Sequence, residues 1–174
     1  MKPRVALILI TFFMFCVMQD TFAQNWKSFN SPNYSIKYPV DWAIDTAKAM
    51  GTTTIIFSPL ESDSDQFREN VNVIAQDLTG QNISLGDYVK ISERQIKDFM
   101  TEGKIYESAT FKTGDREYHK IIFSGTQGVF HLKFEQYYFI KNNNAFVVTL
   151  TTAADKFDNY KPTGEQIMNS FTLN

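Results

Sequence analysis

No proline falls between Leu60 and Lys161, and from Lys104 to Thr152 the apolar residues recur with a period of two. A proline-free run with that period can build long paired strands. Four strands are predicted, over about 105–112, 115–124, 129–141 and 145–152, with turns at Thr113-Gly114, Gly125 to Gly128 and Asn142 to Asn144. Pairing Ser124 with Val129 sets Phe123 opposite Phe130, Ile121 opposite Leu132 and His119 opposite Phe134 on one face. Lys120, Ile122, His131, Lys133 and Glu135 then share the other, more polar face. At the last turn a two-residue loop sets Ile140 opposite Ala145 or Val147. A three-residue loop sets Ile140 against Phe146 and Tyr138 against Val148. Only the longer loop keeps the aromatics on one face, and Asn tolerates the left-handed conformation it needs. Tyr137 and Phe139 point away from Tyr138 and Ile140, so either a helix covers them or an aromatic patch lies open. A covering helix is the simpler arrangement.

Upstream, Tyr34, Ile36 and Tyr38 alternate with Ser35 and Lys37 as a half-buried strand that Pro39 ends, and Trp42 can fold back onto the sheet. Thr52 to Ser58 is rich in β-branched residues, and Val71, Val73 and Ala75 alternate again. Ser84-Leu85-Gly86-Asp87 has the form of a capping box. Leu85, Tyr88, Val89, Ile96, Phe99 and Met100 follow at helical spacing, interrupted by Ser92, with Gly103 as the expected left-handed stop. At the far end Asp155 to Tyr160 forms a short turn that Pro162 breaks. Thr163 with Gln166 then starts a second helix carrying Ile167 and Phe171. Strands and helices at separated points of the chain define an α+β domain, an antiparallel sheet of about six strands flanked by helices.

The first residues read as an address. Lys2 and Arg4 precede fourteen residues, Val5 to Met18, interrupted in polarity only by Thr11. That run is shorter than the about 20 residues a bilayer core requires, and it suits a secretory signal peptide over residues 1–24. Cleavage is expected after Ala23 or Gln24; an uncleaved anchor is the alternative. Cys16 lies within the apolar run, which argues against lipidation. Removing Lys2, Arg4 and Asp20 leaves 15 basic and 18 acidic residues, a net charge of −3. That balance provides no cationic field for nucleic acid. Residues 25–174 carry no cysteine and read as one domain, with no membrane span once the leader is removed.

Tyr34-Ser35-Ile36-Lys37-Tyr38-Pro39 followed by Trp42 resembles the aromatic-x-x-x-aromatic-Pro-x-x-Trp opening of the PsbP-like (Mog1/PsbP) superfamily. The order that follows is similar too: an acidic insertion, a strand, a helix beginning Ser-Leu, long antiparallel strands and a closing helix ending at Ser170-Phe171. The chain also resembles small exported DcrB-like bacterial proteins of that fold. The resemblance implies a sheet sandwiched between helices and a role in binding protein partners. It carries over no photosynthetic role and no metal-ligand positions.

Chemistry-bearing residues are few. His119 and His131 fall on opposite faces, so they cannot serve one substrate or one metal. His119, beside Phe134 and Glu117, is either a general base oriented by a carboxylate or a histidine at the core's edge, and no paired nucleophile accompanies it. Glu61, Asp63 and Asp65 alternate in a polar loop. They offer hard oxygen ligands for Ca²⁺ but lack the glycine and terminal glutamate of an EF-hand, so a solvated, mobile loop is the simpler expectation. No catalytic, cofactor-binding or metal residues are assigned, and no phosphate-loop, dinucleotide, nucleophile-elbow or zinc-protease motif occurs. The expectation is an exported, non-enzymatic accessory or binding protein of the cell envelope, periplasmic or secreted, with a protein partner. The alternative is a carrier of an apolar small molecule held between the sheet and the Ser84–Met100 helix; a hydrolase ranks last.

Overall fold

The structure is a computed structural model that describes residues 25–47 and 51–174. The expected leader, its cleavage point and Cys16 lie outside the described residues. Seven strands form one antiparallel sheet in the order β3-β4-β5-β9-β8-β7-β6. They are β3 (Ala43–Asp45), β4 (Thr54–Phe57), β5 (Asn70–Asp77), β6 (Thr101–Thr113), β7 (Arg116–Gln127), β8 (Phe130–Lys141) and β9 (Asn144–Ala153). A second sheet joins β1 (Trp26–Asn30), β2 (Tyr34–Pro39) and β10 (Thr172–Leu173). The expected antiparallel sheet of about six strands flanked by helices is present with seven, and a second, three-stranded sheet is added to it. The short strands β1, β3 and β10 carry too little periodicity to be seen in the sequence.

The helix α1 (Leu85–Phe99) covers one face of the large sheet, and its cap is as predicted: Ser84 Oγ accepts from the Asp87 backbone N–H. The other face is covered jointly by α2 (Phe157–Asn169) and the small sheet. This is the sandwich that the resemblance implied, with one outer layer shared between a helix and strands. The larger core lies here. Tyr34, Ile36, Trp42, Ile56, Val71, Ile122, Tyr137, Phe139, Phe146, Leu150, Ile167 and Phe171 all belong to it. Burying each such side chain stabilises the fold by about 1.5–3 kcal/mol. Phe171 has its ring centroid 5.2 Å from those of both Tyr34 and Phe139, tying the small sheet to the large one.

Several expectations need correction. The face of Ile122 and Glu135, read as the more polar, holds this larger core, because its polar residues sit at the margins or are buried outright. Phe123 pairs with Phe134, and His119 with Tyr138 rather than Phe134. Strand β7 runs through Gly125 to Gln127, which pairs with Phe130, leaving only Gly128 and Val129 in the turn. The slip is four residues, an even number, so each side chain keeps its expected face. At the next turn Ile140 faces Ala145, and the loop has two residues, not three. Asn142 and Asn143 have φ of 51° and 58°, as a two-residue turn with both central residues left-handed requires. The aromatics accordingly divide between two cores instead of sharing one face. Gly103 does not stop α1; Met100 caps it, and Glu102 takes the positive φ. A Cβ on Gly103 would collide with the Ile96 carbonyl, which is why glycine stands there. Finally, Pro162 lies inside α2 without breaking it. It is exposed, so the Asp158 carbonyl that lacks its usual donor sits on the wet side of the helix.

Candidate functional site

Strand β6 forms one edge of the large sheet, and no described strand pairs with its outer side. On the α2 side of the sheet it presents two aromatic rings to solvent, Tyr106 at 52% exposure and Phe111 at 37%. The bulge between Ile105 and Glu107 turns Tyr106 over its neighbours, and its hydroxyl hydrogen-bonds Ser124 Oγ at 3.0 Å. Lys104 and Lys133 flank the ring, with Nζ 5.0 and 5.3 Å from its centroid. Lys133 Nζ also lies 4.2 Å from the Phe157 ring. Neither lysine forms an ion pair among the described residues, whereas Lys120 is held by Glu107 at 2.8 Å. The result is a half-exposed aromatic surface bearing two ammonium groups without carboxylates.

His119 lies on the other face of the sheet, beside α1. Its Nε2 is 2.8 Å from Ser108 Oγ, and its Nδ1 is 2.8 Å from Thr110 Oγ1. Ser108 Oγ in turn donates to Glu93 Oε1 at 2.5 Å. Ser108 has one proton, which goes to the carboxylate, so Nε2 must carry the proton it shares with Ser108. That order is wrong for a nucleophile relay, in which the imidazole accepts from the serine and the acid holds the other ring nitrogen. Burial lowers the His119 pKa against the pull of Glu93. His119 thus ties β7 to β6, while Ser108 carries the link on to α1 through Glu93, and the expected neighbours Phe134 and Glu117 play no part in it. His131 is exposed on the opposite face, with Nδ1 3.4 Å from Thr126 Oγ1.

The acidic loop is solvated, as expected, but pinned. Lys156 Nζ lies 2.9 Å from Glu61 Oε2 and 3.8 Å from Asp65 Oδ1, and the Tyr160 hydroxyl donates to Glu61 Oε1 at 2.7 Å. Asp65 also accepts from the backbone N–H groups of Glu61 and Phe67. These contacts hold the Glu61 and Asp65 carboxyls below their usual range, through Lys156 foremost for Glu61 and the Glu61 N–H for Asp65. A lysine ammonium from the start of α2 occupies the position a cation would take. Among the described residues no three His, Cys, Asp or Glu side chains are grouped to hold a metal ion.

Two glutamates that carry no sequence signal are buried under α2. Glu135 is fully buried, and neither carboxylate oxygen has a hydrogen-bond partner. Burial first, and then Glu165, push its carboxyl up to about 7, against Lys120 and Lys161. Glu69 is also fully buried. Its Oε1 accepts weakly from the Ala153 N–H at 3.4 Å, Oε2 has no partner, and burial raises its pKa.

An antiparallel sheet with one helix on one face, and a second helix plus a small sheet on the other, is the PsbP-like fold. The chain is similar to the solution structure of cyanobacterial PsbP (CyanoP) from Synechocystis sp. PCC 6803, with TM-score 0.64 and 16% identity over 89% of this chain and 96% of that one. It is similar to LpqN, involved in cell envelope biogenesis of Mycobacterium tuberculosis, with TM-score 0.60 and 13% identity over 86% and 91%. PA94 from Pseudomonas aeruginosa, a protein of unknown function described as a putative regulator, gives TM-score 0.60 and 13% identity over 83% and 94%. No family model and no curated protein matches the chain by sequence. Identities this low establish a shared fold.

Proposed function

We propose that the protein is a non-enzymatic accessory protein of the cell envelope, exported to the periplasm or beyond, that engages a protein partner through β6. The observation that carries this reading is β6 itself. It has thirteen residues with an unpaired outer side, while β3 at the opposite edge has three. A long uncovered edge offers a row of backbone donors and acceptors to an added strand. Tyr106 and Phe111 supply apolar contact beside it, and Lys104 and Lys133 favour an acidic segment. The envelope role of LpqN, a protein of the same fold, supports the compartment, as does the leader composition. Among the described residues no helix is long and apolar enough to cross a membrane. The proton order around His119 favours binding over catalysis.

The test places a photo-crosslinking benzoylphenylalanine at position 106 or 111, and at exposed Asn159 on α2 as a control, in the protein expressed in its native envelope. A discrete adduct from 106 or 111 and none from 159 is the expected result. No adduct at either position, or equal labelling at 159, overturns the docking surface. N-terminal sequencing should begin at Gln24 or Asn25; a retained Met1 overturns cleavage. A second reading, carriage of an apolar small molecule, is favoured by a groove between α1 and the large sheet.

A further inference from the structure

The groove beside α1 is open to solvent on one side and has a volume of about 390 Å³, within the range of small-molecule sites. Ile96, Phe99 and Met100 wall it on the helix side, and Ile74, Phe123 and Val147 on the sheet side. Helix α1 fully buries only Val89 and Ile96, with Ser92 between them, so its inner face stands off the sheet. Phe99, at the mouth, is 83% exposed.

The remaining lining is polar but uncharged. Most of its hydrogen-bonding capacity is already engaged. The Tyr138 hydroxyl donates to Gln136 Oε1, and Gln136 Nε2 donates to Thr149 Oγ1 at 3.1 Å. The Tyr88 hydroxyl donates to Gln76 Oε1 at 2.9 Å, and Ser92 Oγ donates to the Tyr88 carbonyl at 3.0 Å. The amide groups of Gln76 and Gln95, both exposed at the rim, keep donors available.

This pattern selects its occupant. An ion entering the groove would lose water and meet no opposite charge, at a cost of several kcal/mol. An extended peptide would find too few donors and acceptors for its backbone. An apolar body with a small uncharged polar end fits both the walls and the rim, and it would cover Phe99. Resting on the carrier reading above and narrowing it, we propose that the groove binds a neutral apolar small molecule whose uncharged polar end meets the Gln76 and Gln95 amides at the rim. The site lies on the face of the sheet opposite Tyr106, so it is independent of the β6 docking surface.

The purified protein is titrated with the neutral fluorophore N-phenyl-1-naphthylamine at about pH 8, where a fatty acid is ionised, and the signal is competed with monolaurin and with laurate. Saturable one-to-one binding is expected, displaced by monolaurin at least about tenfold more effectively than by laurate. Ser92→Phe, which fills the groove from the helix, should weaken binding at least about tenfold. Thr172→Phe, at an exposed position of β10 on the other side of the large sheet, should leave it unchanged. If Ser92→Phe does not fold, Gln95→Trp at the mouth replaces it. Absence of saturable binding, or binding untouched by the groove variant, overturns the carrier reading together with this proposal. Saturable binding that laurate displaces as well as monolaurin overturns only the requirement for a neutral ligand.

Discussion

Phe139 and Phe146 face each other across β8 and β9, and both rings pack against Phe171 from the end of α2. This contact requires the two-residue turn at Asn142-Asn143, because one residue more would turn Phe146 to the opposite face. Asn143→Val should therefore lower stability by about 1–2 kcal/mol, the cost of a left-handed conformation at a residue with a Cβ branch. Asn143→Gly should not destabilise. Urea denaturation followed by circular dichroism measures both.

Trp42 is buried, its backbone N–H closes a turn onto the Pro39 carbonyl at 3.1 Å, and its ring meets Tyr160 edge-on. Trp42→Ala should destabilise by about 3–5 kcal/mol. A melting curve matching the wild type would place the indole outside the core.

Glu135 makes stability fall with rising pH. Its carboxyl sits near 7 in the folded protein against an ordinary 4.5, so between those values the folded state keeps a proton that the unfolded state has released. Stability from this group is fully present below about pH 4.5, declines towards pH 7 and is level above it. At 1.36 kcal/mol per pH unit the loss is about 3 kcal/mol. Lys120, Lys161, Glu165 and Tyr137 surround it, so the slope is shared with their charges. Glu135→Gln should flatten this part of the profile and raise stability at about pH 8. A variant profile as steep as that of the wild type would assign the pH dependence to other groups.

The Lys156 ammonium bridges Glu61 and Asp65. Lys156→Met should release the 61–69 loop, seen as faster thermolysin cleavage within it while cleavage elsewhere is unchanged. Equal cleavage rates would show that Tyr160 and the backbone contacts suffice to hold the loop.

Legibility in the sequence followed the range of the interaction. Ser84 and Asp87 cap a helix three residues away, and the strand from Tyr34 to Pro39 needs only alternation, so both could be read directly. Gly125 misled, because it looks like a turn residue. It is glycine because a Cβ there would run into the Met100 side chain, a contact between β7 and the C-terminal cap of α1 that is distant in sequence. Pro162 misled similarly: α2 survives it because Phe157, Gly164, Ile167 and Met168 are buried in the core, with Gly164 so close that a Cβ would sit 2.5 Å from Leu150. The β6 surface was hidden because Tyr106 and Phe111 look like core residues until it is known that β6 is an edge strand with no described strand paired to its outer side. Glu69 and Glu135 could not be flagged, since a glutamate on an alternating strand looks like any solvated one.

Thr172 and Leu173 zip onto Ser35 and Tyr34, so some of the last residues of the chain complete a sheet begun by some of its first. Phe171, just before β10, packs against Tyr34, Phe139 and Phe146. Without residues 171–173 that side of the interior stays open, so the segments from Trp26 to Pro39 cannot be sealed onto the large sheet by their own contacts alone.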